Sequence, residues 1–98
     1  MIAFTLEARQ YVRSLRVYFE ERERPEAARA LRNALTGAWE KITTSPAAGL
    51  PAPRPYPQLA QPGRLWLKSG RYWIAYRTEP APAIVAVFFE TANIPGRL

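Results

Sequence analysis

The sequence predicts an α+β domain of two layers, in which an N-terminal strand and a helical hairpin precede a three-stranded antiparallel meander. Three observations support this prediction. Apolar residues recur at helical spacing over residues 7–23 and again over 26–43. Residues 64–77 alternate in polarity around a short turn, and residues 83–90 form an almost unbroken apolar run. Helices that precede strands in this way are expected to cover one face of the sheet.

Composition limits the chemistry open to the chain. Its 98 residues, 48% of them apolar, suffice for a single domain over residues 1–98 with one modest core. Cysteine, histidine and aspartate are absent from the sequence, so we expect no disulfide, no metal site and no cofactor. Any catalysis would have to use Glu, Tyr, Lys or Arg. The net charge of +6 suits a nucleic acid or an acidic protein partner.

The sequence shows no sign of membrane insertion or secretion. No apolar run approaches the roughly 18 residues that a membrane-spanning helix needs. The apolar start of the chain is interrupted by Glu7 and Arg9, too soon for a secretory signal. We therefore expect a soluble, cytoplasmic protein.

The chain begins with a short predicted strand at residues 2–5, and the first helix follows. Thr5 is placed to cap this helix, and Glu7 lies in its first turn, where a negative charge favours the helix dipole. The apolar stripe of the helix consists of Ala8, Tyr11, Val12, Leu15, Tyr18 and Phe19. The opposite side carries Arg9, Arg13, Arg16 and Glu20, which is typical of a solvated face.

A second helix is predicted directly after a short polar connection. Pro25 suits its first position, because the missing N–H needs no partner there. Pro46 disfavours helical geometry at Ser45, so the helix should end near that point. Its apolar stripe consists of Ala28, Leu31, Leu35, Ala38, Trp39 and Ile42. Because so few residues join the helices, we expect an antiparallel hairpin.

Residues 47–63 contain prolines at positions 51, 53, 55, 57 and 62, which excludes a helix or a central strand. We expect an ordered, extended crossover that Leu50, Tyr56 and Leu59 pin to the core. The later apolar run at 83–90 is predicted to be covered on both sides or to lie centrally in the sheet. Residues 91–98 are predicted to be irregular.

The hairpin at residues 64–77 is the most informative segment. A two-residue turn at Ser69-Gly70 would place Trp66 opposite Trp73. Alternation then gives one apolar face, made of Leu65, Leu67, Tyr72, Ile74 and Tyr76. The other face carries the candidate target-binding residues Arg64, Trp66, Lys68, Arg71, Trp73 and Arg77. Two interpretations of the tryptophan pair stay open: a surface that stacks on a target, or a cross-strand contact covered by the proline-rich segment or the tail.

Several stretches of the chain carry a resemblance to a known family. They are Phe4-Thr5-Leu6-Glu7-Ala8, Trp39-Glu40-Lys41-Ile42 with Ser45-Pro46, Gly49-Leu50-Pro51, and Lys68-Ser69-Gly70-Arg71-Tyr72-Trp73-Ile74-Ala75-Tyr76-Arg77. Together with the length and the order of elements, they resemble the RelE/ParE superfamily of toxins from bacterial type II toxin–antitoxin systems. The last string looks like the hairpin strand of that family, G-x-Y-x-I-x-Y-R. The resemblance covers nearly the whole chain.

The resemblance implies a toxin, but the superfamily holds two activities on one fold. RelE-like members cleave messenger RNA on the ribosome, using lysines and arginines of a concave sheet face. ParE-like members bind DNA gyrase and stall it. In this chain Arg64 keeps a cation, whereas Trp66 and Trp73 stand where RelE-like toxins place a central lysine and arginine. The last strand ends in Glu90 and Thr91, where those toxins place another arginine.

These departures favour the ParE-like branch. RNA cleavage without a metal needs an acid and a base, and an arginine does not readily give up a proton. We therefore expect a toxin that binds a target such as DNA gyrase and has no catalytic residues. The alternative is a RelE-like, ribosome-dependent mRNA endonuclease. A third possibility is a nontoxic relative that only binds its partner.

The partner that the resemblance implies is a cognate antitoxin, whose C-terminal segment folds on the toxin. A surface of net charge +6 suits an acidic, amphipathic segment that becomes ordered on binding. The candidate antitoxin-binding residues are Arg13, Arg16 and Val17, the last of which lies off the core stripe.

Overall fold

The fold, described by a computed structural model for residues 1–91 and 94, consists of two helices followed by a sheet. The helices are α1 (Leu6–Glu21) and α2 (Pro25–Thr44), and the strands are β1 (Leu65–Ser69), β2 (Tyr72–Arg77) and β3 (Ala83–Phe89). The strands pair antiparallel in the order β1-β2-β3. α1 packs mainly against β3, and α2 packs against β1 and β2. This is the predicted α+β architecture.

The helical hairpin begins and turns where the sequence predicts. The N–H of Ala8 donates to Thr5 Oγ1 at 3.2 Å, so Thr5 caps α1. Pro25 occupies the first turn of α2. Between the helices, Glu23 adopts the left-handed region at φ 51°, and the N–H of Arg24 donates to Phe19 O at 2.9 Å. This hydrogen bond pairs the Phe19 carbonyl near the end of α1, and the chain reverses within the three residues between the helices.

The strand predicted at residues 2–5 is limited to a single parallel bridge between Phe4 and Ile84. Thr5 N–H donates to Ile84 O at 3.0 Å, and Ile84 N–H donates to Ala3 O at 2.9 Å. Pairing stops there because Thr5 already caps α1 and the chain leaves the sheet.

The first core lies between the helices and the sheet. Its buried members are Ala8, Leu31, Ala34, Leu35, Ala38, Ile42, Tyr72, Ile74, Tyr76, Ile84 and Val87. Both predicted helix stripes contribute, but two tyrosines of the α1 stripe lie outside this core. Tyr18 is 49% exposed and lies beneath the guanidinium of Arg22, 3.8 Å from its ring centroid. Tyr11, two turns earlier, instead reaches Phe88 on the far face of the sheet.

A second core lies on the opposite face of the sheet. Its buried members are Trp66, Trp73, Ala75, Ala86, Phe88 and Ile94, and Tyr11, Leu50, Tyr56, Leu59 and Val85 pack against them. β3 is therefore covered on both faces, as its apolar sequence predicts. The size of the domain suggests one modest core, yet the sheet separates two.

Residues 47–63, called the covering segment below, close this second core. Leu50 forms a bridge to Trp66, with two backbone hydrogen bonds of 2.7 Å. Short 3₁₀ turns at Pro46–Ala48 and Pro57–Leu59 shape the remainder. The predicted ordered crossover is confirmed, and Leu50, Tyr56 and Leu59 pin it to the second core rather than to the first.

The turn of the hairpin lies one residue later than predicted. Ser69 pairs with Tyr72, so Gly70 and Arg71 form the turn. Gly70 adopts φ 58°, and the hydroxyl of Ser69 donates to Ala34 O at 2.7 Å, which holds Ser69 in the strand. The shift changes the cross-strand partners but preserves the alternation, so the strand residues of each face are the predicted ones, and Arg71 lies in the turn instead.

Two further expectations can be compared with the described part of the chain. Among residues 1–91 and 94, neither helix is both long enough and apolar enough to cross a membrane. The irregular tail predicted after residue 90 lies, apart from Thr91 and Ile94, outside the described residues.

Candidate functional site

The tryptophans of the predicted target-binding face belong to the interior. Trp66 is 0% exposed and Trp73 is 4% exposed. They do not face each other: Trp66 lies opposite Ala75 and stacks on Phe88 at 6.4 Å, while Trp73 lies opposite Lys68. Both tryptophans are therefore covered, but the expected cross-strand contact between them is wrong, and the interpretation as an open stacking surface is corrected. Neither tryptophan belongs to a surface that a target can contact directly.

At the turn end of the sheet, Lys68 and Arg71 share one carboxylate. Lys68 Nζ lies 3.2 Å from Glu90 Oε1, and Arg71 Nε lies 2.5 Å from Glu90 Oε2. The Glu90 N–H also donates to Arg71 O at 2.8 Å. The hydrogen bonds from Arg71 and then from Lys68 hold the pKa of Glu90 below its ordinary value. This turn-end cluster is therefore an ion-pair network with a net charge of only +1.

At the other end of the sheet, Arg64 and Arg77 line an open cavity of about 300 Å³ together with Thr5, Glu7 and Gln61. Arg77 Nε donates to Ala81 O at 3.3 Å, which holds its guanidinium near the β2–β3 connection. Among residues 1–91 and 94, neither arginine forms an ion pair. Glu7 reduces the net charge of this arginine cavity to +1, but in the described residues it is not close enough to either arginine to form an ion pair.

The two cores differ in how they satisfy buried polar atoms. On the helix side, the Tyr76 hydroxyl donates to Pro46 O at 2.8 Å. On the other side, Trp66 Nε1 is buried without a hydrogen-bond partner in the described part of the chain. An unsatisfied buried donor of this kind costs roughly 1–3 kcal/mol. The buried polar atoms of the second core are therefore less completely hydrogen-bonded than those of the first.

Two tyrosines of the first core have shifted pKa values. Burial raises the pKa of Tyr72 and of Tyr76, which keeps both hydroxyls protonated, and both side chains face the helices. In the described ranges, no three carboxylates gather as a metal site would require.

The predicted antitoxin-binding residues are all on the exposed side of α1. Arg13 and Arg16 are exposed, and Val17 is 44% exposed, as its position off the core stripe predicts. Tyr18, which the sequence assigns to the core, extends this strip with a half-exposed ring. α1 therefore presents cations beside exposed apolar side chains.

The sequence missed Glu90 and two cations on the β1 side of the sheet. Glu90 lies opposite Arg71 because Tyr72 pairs with Phe89 and that pairing continues by one residue, a register that only the folded sheet defines. Lys41 and Arg54 lie on α2 and on the covering segment, and only the folded chain brings them to one cavity.

Comparison with other proteins adds no identity. Neither the family models nor the curated proteins searched give a match to this chain.

Proposed function

We propose that this chain is a ParE-like toxin of a type II toxin–antitoxin system, which acts in the cytoplasm by binding a target such as DNA gyrase. The observation that carries the proposal is the state of the sheet face that RelE-like toxins use for cleavage. In this chain that face holds a packed core around Trp66 and Trp73, and Glu90 compensates two of its cations. A face that is packed and charge-compensated in this way argues against phosphodiester cleavage, and so favours the branch of the family that acts by binding.

The chemistry of cleavage supports the same choice. A cut at RNA needs a base for the 2′-hydroxyl, an acid for the leaving oxygen and cations for the phosphorane. Lys68 is engaged by Glu90, and arginines supply charge but exchange no proton. The residues suited to a target contact are therefore Arg64 and Arg77 of the arginine cavity, because Glu90 holds Arg71 as well as Lys68.

The first test is inhibition of gyrase. The purified chain should block supercoiling of plasmid DNA, and an Arg64→Gln/Arg77→Gln variant should lose most of this inhibition. Arg29→Gln/Arg32→Gln removes the same charge from the exposed side of α2 and should remain inhibitory. Unimpaired supercoiling at a large excess of the chain, with new cut ends in primer extension on ribosome-bound message, would instead establish the RelE-like alternative.

The second test concerns the antitoxin, proposed to be the product of a neighbouring reading frame. Single reversals Arg13→Glu and Arg16→Glu should each weaken the complex, by about 0.2–1 kcal/mol for an exposed ion pair plus a repulsive contribution. Raising the salt concentration should shrink the difference, because ions screen surface charge. Arg54→Glu, on the covering segment, is the matched control. Equal affinities at low salt would remove this side of α1 from the interface.

A further inference from the structure

A second cavity, of about 410 Å³, lies between the end of α2, the covering segment and β1. Its charged lining residues are Lys41, Arg54 and Lys68, one from each of these elements, and no carboxylate belongs to the lining. Ser45 adds a hydroxyl at the same rim. We call it the lysine–arginine cavity, and it is distinct from the arginine cavity at the other end of the sheet.

We propose that the lysine–arginine cavity binds the phosphate group of a small organic phosphate. Like charges on three separate elements repel one another, and an oxyanion between them removes that repulsion. Guanidinium and ammonium groups form the strongest hydrogen bonds to phosphate oxygens. This inference does not depend on the proposed toxin function.

The charge in this cavity is only partly used by the protein itself. Lys68 is shared with Glu90, but Lys41 and Arg54 form no ion pair within residues 1–91 and 94. The C-terminal end of α2 lies nearby and its dipole opposes an anion, so the charges of Lys41, in the last turn, and of Arg54 have to outweigh it. Two cations without a carboxylate partner in the described residues therefore line the cavity.

The remaining walls favour an organic group over a bare ion. Ala48, Leu50 and Leu67 supply apolar lining, and the volume lies in the range of small-molecule sites. The cavity is therefore larger than a phosphate group requires, and it leaves an apolar wall for the rest of the ligand. A mononucleotide has this combination of a charged and a planar part.

The indole of Trp66 provides a reporter for this site. Trp66 belongs to the cavity wall, and its Nε1 has no partner in the described ranges. Because that nitrogen is enclosed, a ligand does not contact it directly. Its N–H resonance instead reports changes in the wall of the cavity. The chain contains three tryptophans, so only three indole N–H resonances are expected, and Trp66→Phe assigns one of them.

The experiment is a titration of ¹⁵N-labelled protein with adenosine monophosphate, inorganic phosphate, adenosine and succinate. We expect adenosine monophosphate to shift the Trp66 indole resonance, inorganic phosphate to do so more weakly, and adenosine and succinate to leave it unmoved. Lys41→Gln and Arg54→Gln should each weaken binding about tenfold, the lower end of what one charge-assisted hydrogen bond contributes, because both side chains are exposed.

The control variant is Arg32→Gln, which removes an exposed cation from α2 outside the cavity. An equal loss of affinity in Arg32→Gln would reduce the effect to net charge and overturn the proposal. So would binding of succinate as tight as that of adenosine monophosphate, or absence of any shift up to millimolar ligand. Because Lys41 and Arg54 are both exposed, these substitutions should leave the fold intact, and unchanged far-ultraviolet circular dichroism verifies this.

Discussion

The two faces of the sheet are covered by unlike partners. The first core lies under two helices whose apolar stripes match it, and its buried Tyr76 hydroxyl has an acceptor. The second lies under a proline-rich segment without regular periodicity, and its Trp66 N–H has none in the described residues. A face covered by helices is encoded by local spacing, whereas a face covered by a loop depends on a few large side chains.

This difference changes what a row of aromatic and basic residues signifies. Trp66, Trp73, Lys68 and Arg71 alternate along the hairpin as a binding surface would. In the folded chain, however, the rings form a core and the cations form an ion-pair network. The amphipathic pattern of a strand shows that two environments exist, but it does not show which of them is solvent.

The largest loss of stability is expected when the second core is emptied. Trp66→Ala should lower the free energy of unfolding by roughly 3–5 kcal/mol, a loss comparable to that of Ile74→Ala in the first core. Trp66→Phe should cost much less, because it keeps a ring and removes the unpaired N–H. Urea denaturation measures all three variants. A loss below about 1 kcal/mol for Trp66→Ala would show that the loop-covered face is not a core.

A smaller effect is expected where the covering segment meets the first core. A Cβ at Gly49 would lie 2.9 Å from Leu65 Cβ and closer still to the Tyr76 hydroxyl oxygen. Gly49→Ala should therefore displace the segment and cost about 1–3 kcal/mol. Gly37→Ala is the matched control, because its Cβ meets only Ser69 Oγ at 3.5 Å and should stabilise α2 by about 0.5–1 kcal/mol. Thermal unfolding of both variants distinguishes a clash from a general intolerance of alanine.

Removing one hydroxyl tests the polar satisfaction of the first core. Tyr76→Phe loses the bond to Pro46 O and should cost about 0.5–1.5 kcal/mol near neutral pH. Burial raises the pKa of Tyr76, so above about pH 10 the unfolded chain loses this proton first and stability falls as the pH rises. Tyr76→Phe should flatten this alkaline decline, with Tyr72 responsible for the remainder. An unchanged slope between pH 9 and 11 would contradict this assignment.

The smallest effect is expected at the turn-end cluster. The pKa of Glu90 is lowered in the folded chain, so its stabilising contribution is present above the unfolded pKa of about 4.3 and is lost as the pH falls through the folded value. Glu90→Gln should remove this acid dependence and, at pH 7, lower stability by the small contribution that the ionised carboxylate makes there. The same variant releases Lys68 and Arg71, so its affinity for single-stranded RNA should rise in fluorescence anisotropy. An unchanged affinity would show that the network does not restrain these cations.

Local physics accounts for the parts of the fold that the sequence predicts. Helix periodicity, the Thr5 cap and Pro25 at the start of α2 depend on neighbouring residues, and all three are confirmed. The membership of each sheet face also follows from alternation alone. Even the position of the covering segment was indicated by Leu50, Tyr56 and Leu59, although not the core to which they belong.

The features that the sequence did not predict depend on distant contacts. The hairpin turn moved because Ser69 is held by Ala34, thirty-five positions away. The pairing of Glu90 depends on a bulge at Val85, which places Tyr76 opposite Ile84 and Ala75 opposite Ala86. The exposure of Tyr18 depends likewise on which elements pack near it. The same holds for Lys41 and Arg54, which line one cavity although they lie on different elements. No window of sequence contains both partners of such contacts.

The prolines at positions 51, 53, 55, 57 and 62 have an effect before any contact is made. Each of them restricts the backbone of the denatured ensemble, so less conformational entropy remains to be lost when the segment settles over the tryptophans. Replacing them with glycine or serine could leave every native neighbour in place and still loosen the domain, through greater freedom of the denatured chain. The restricted backbone of the denatured chain thus takes the place of the intrahelical hydrogen bonds that a covering helix would have supplied.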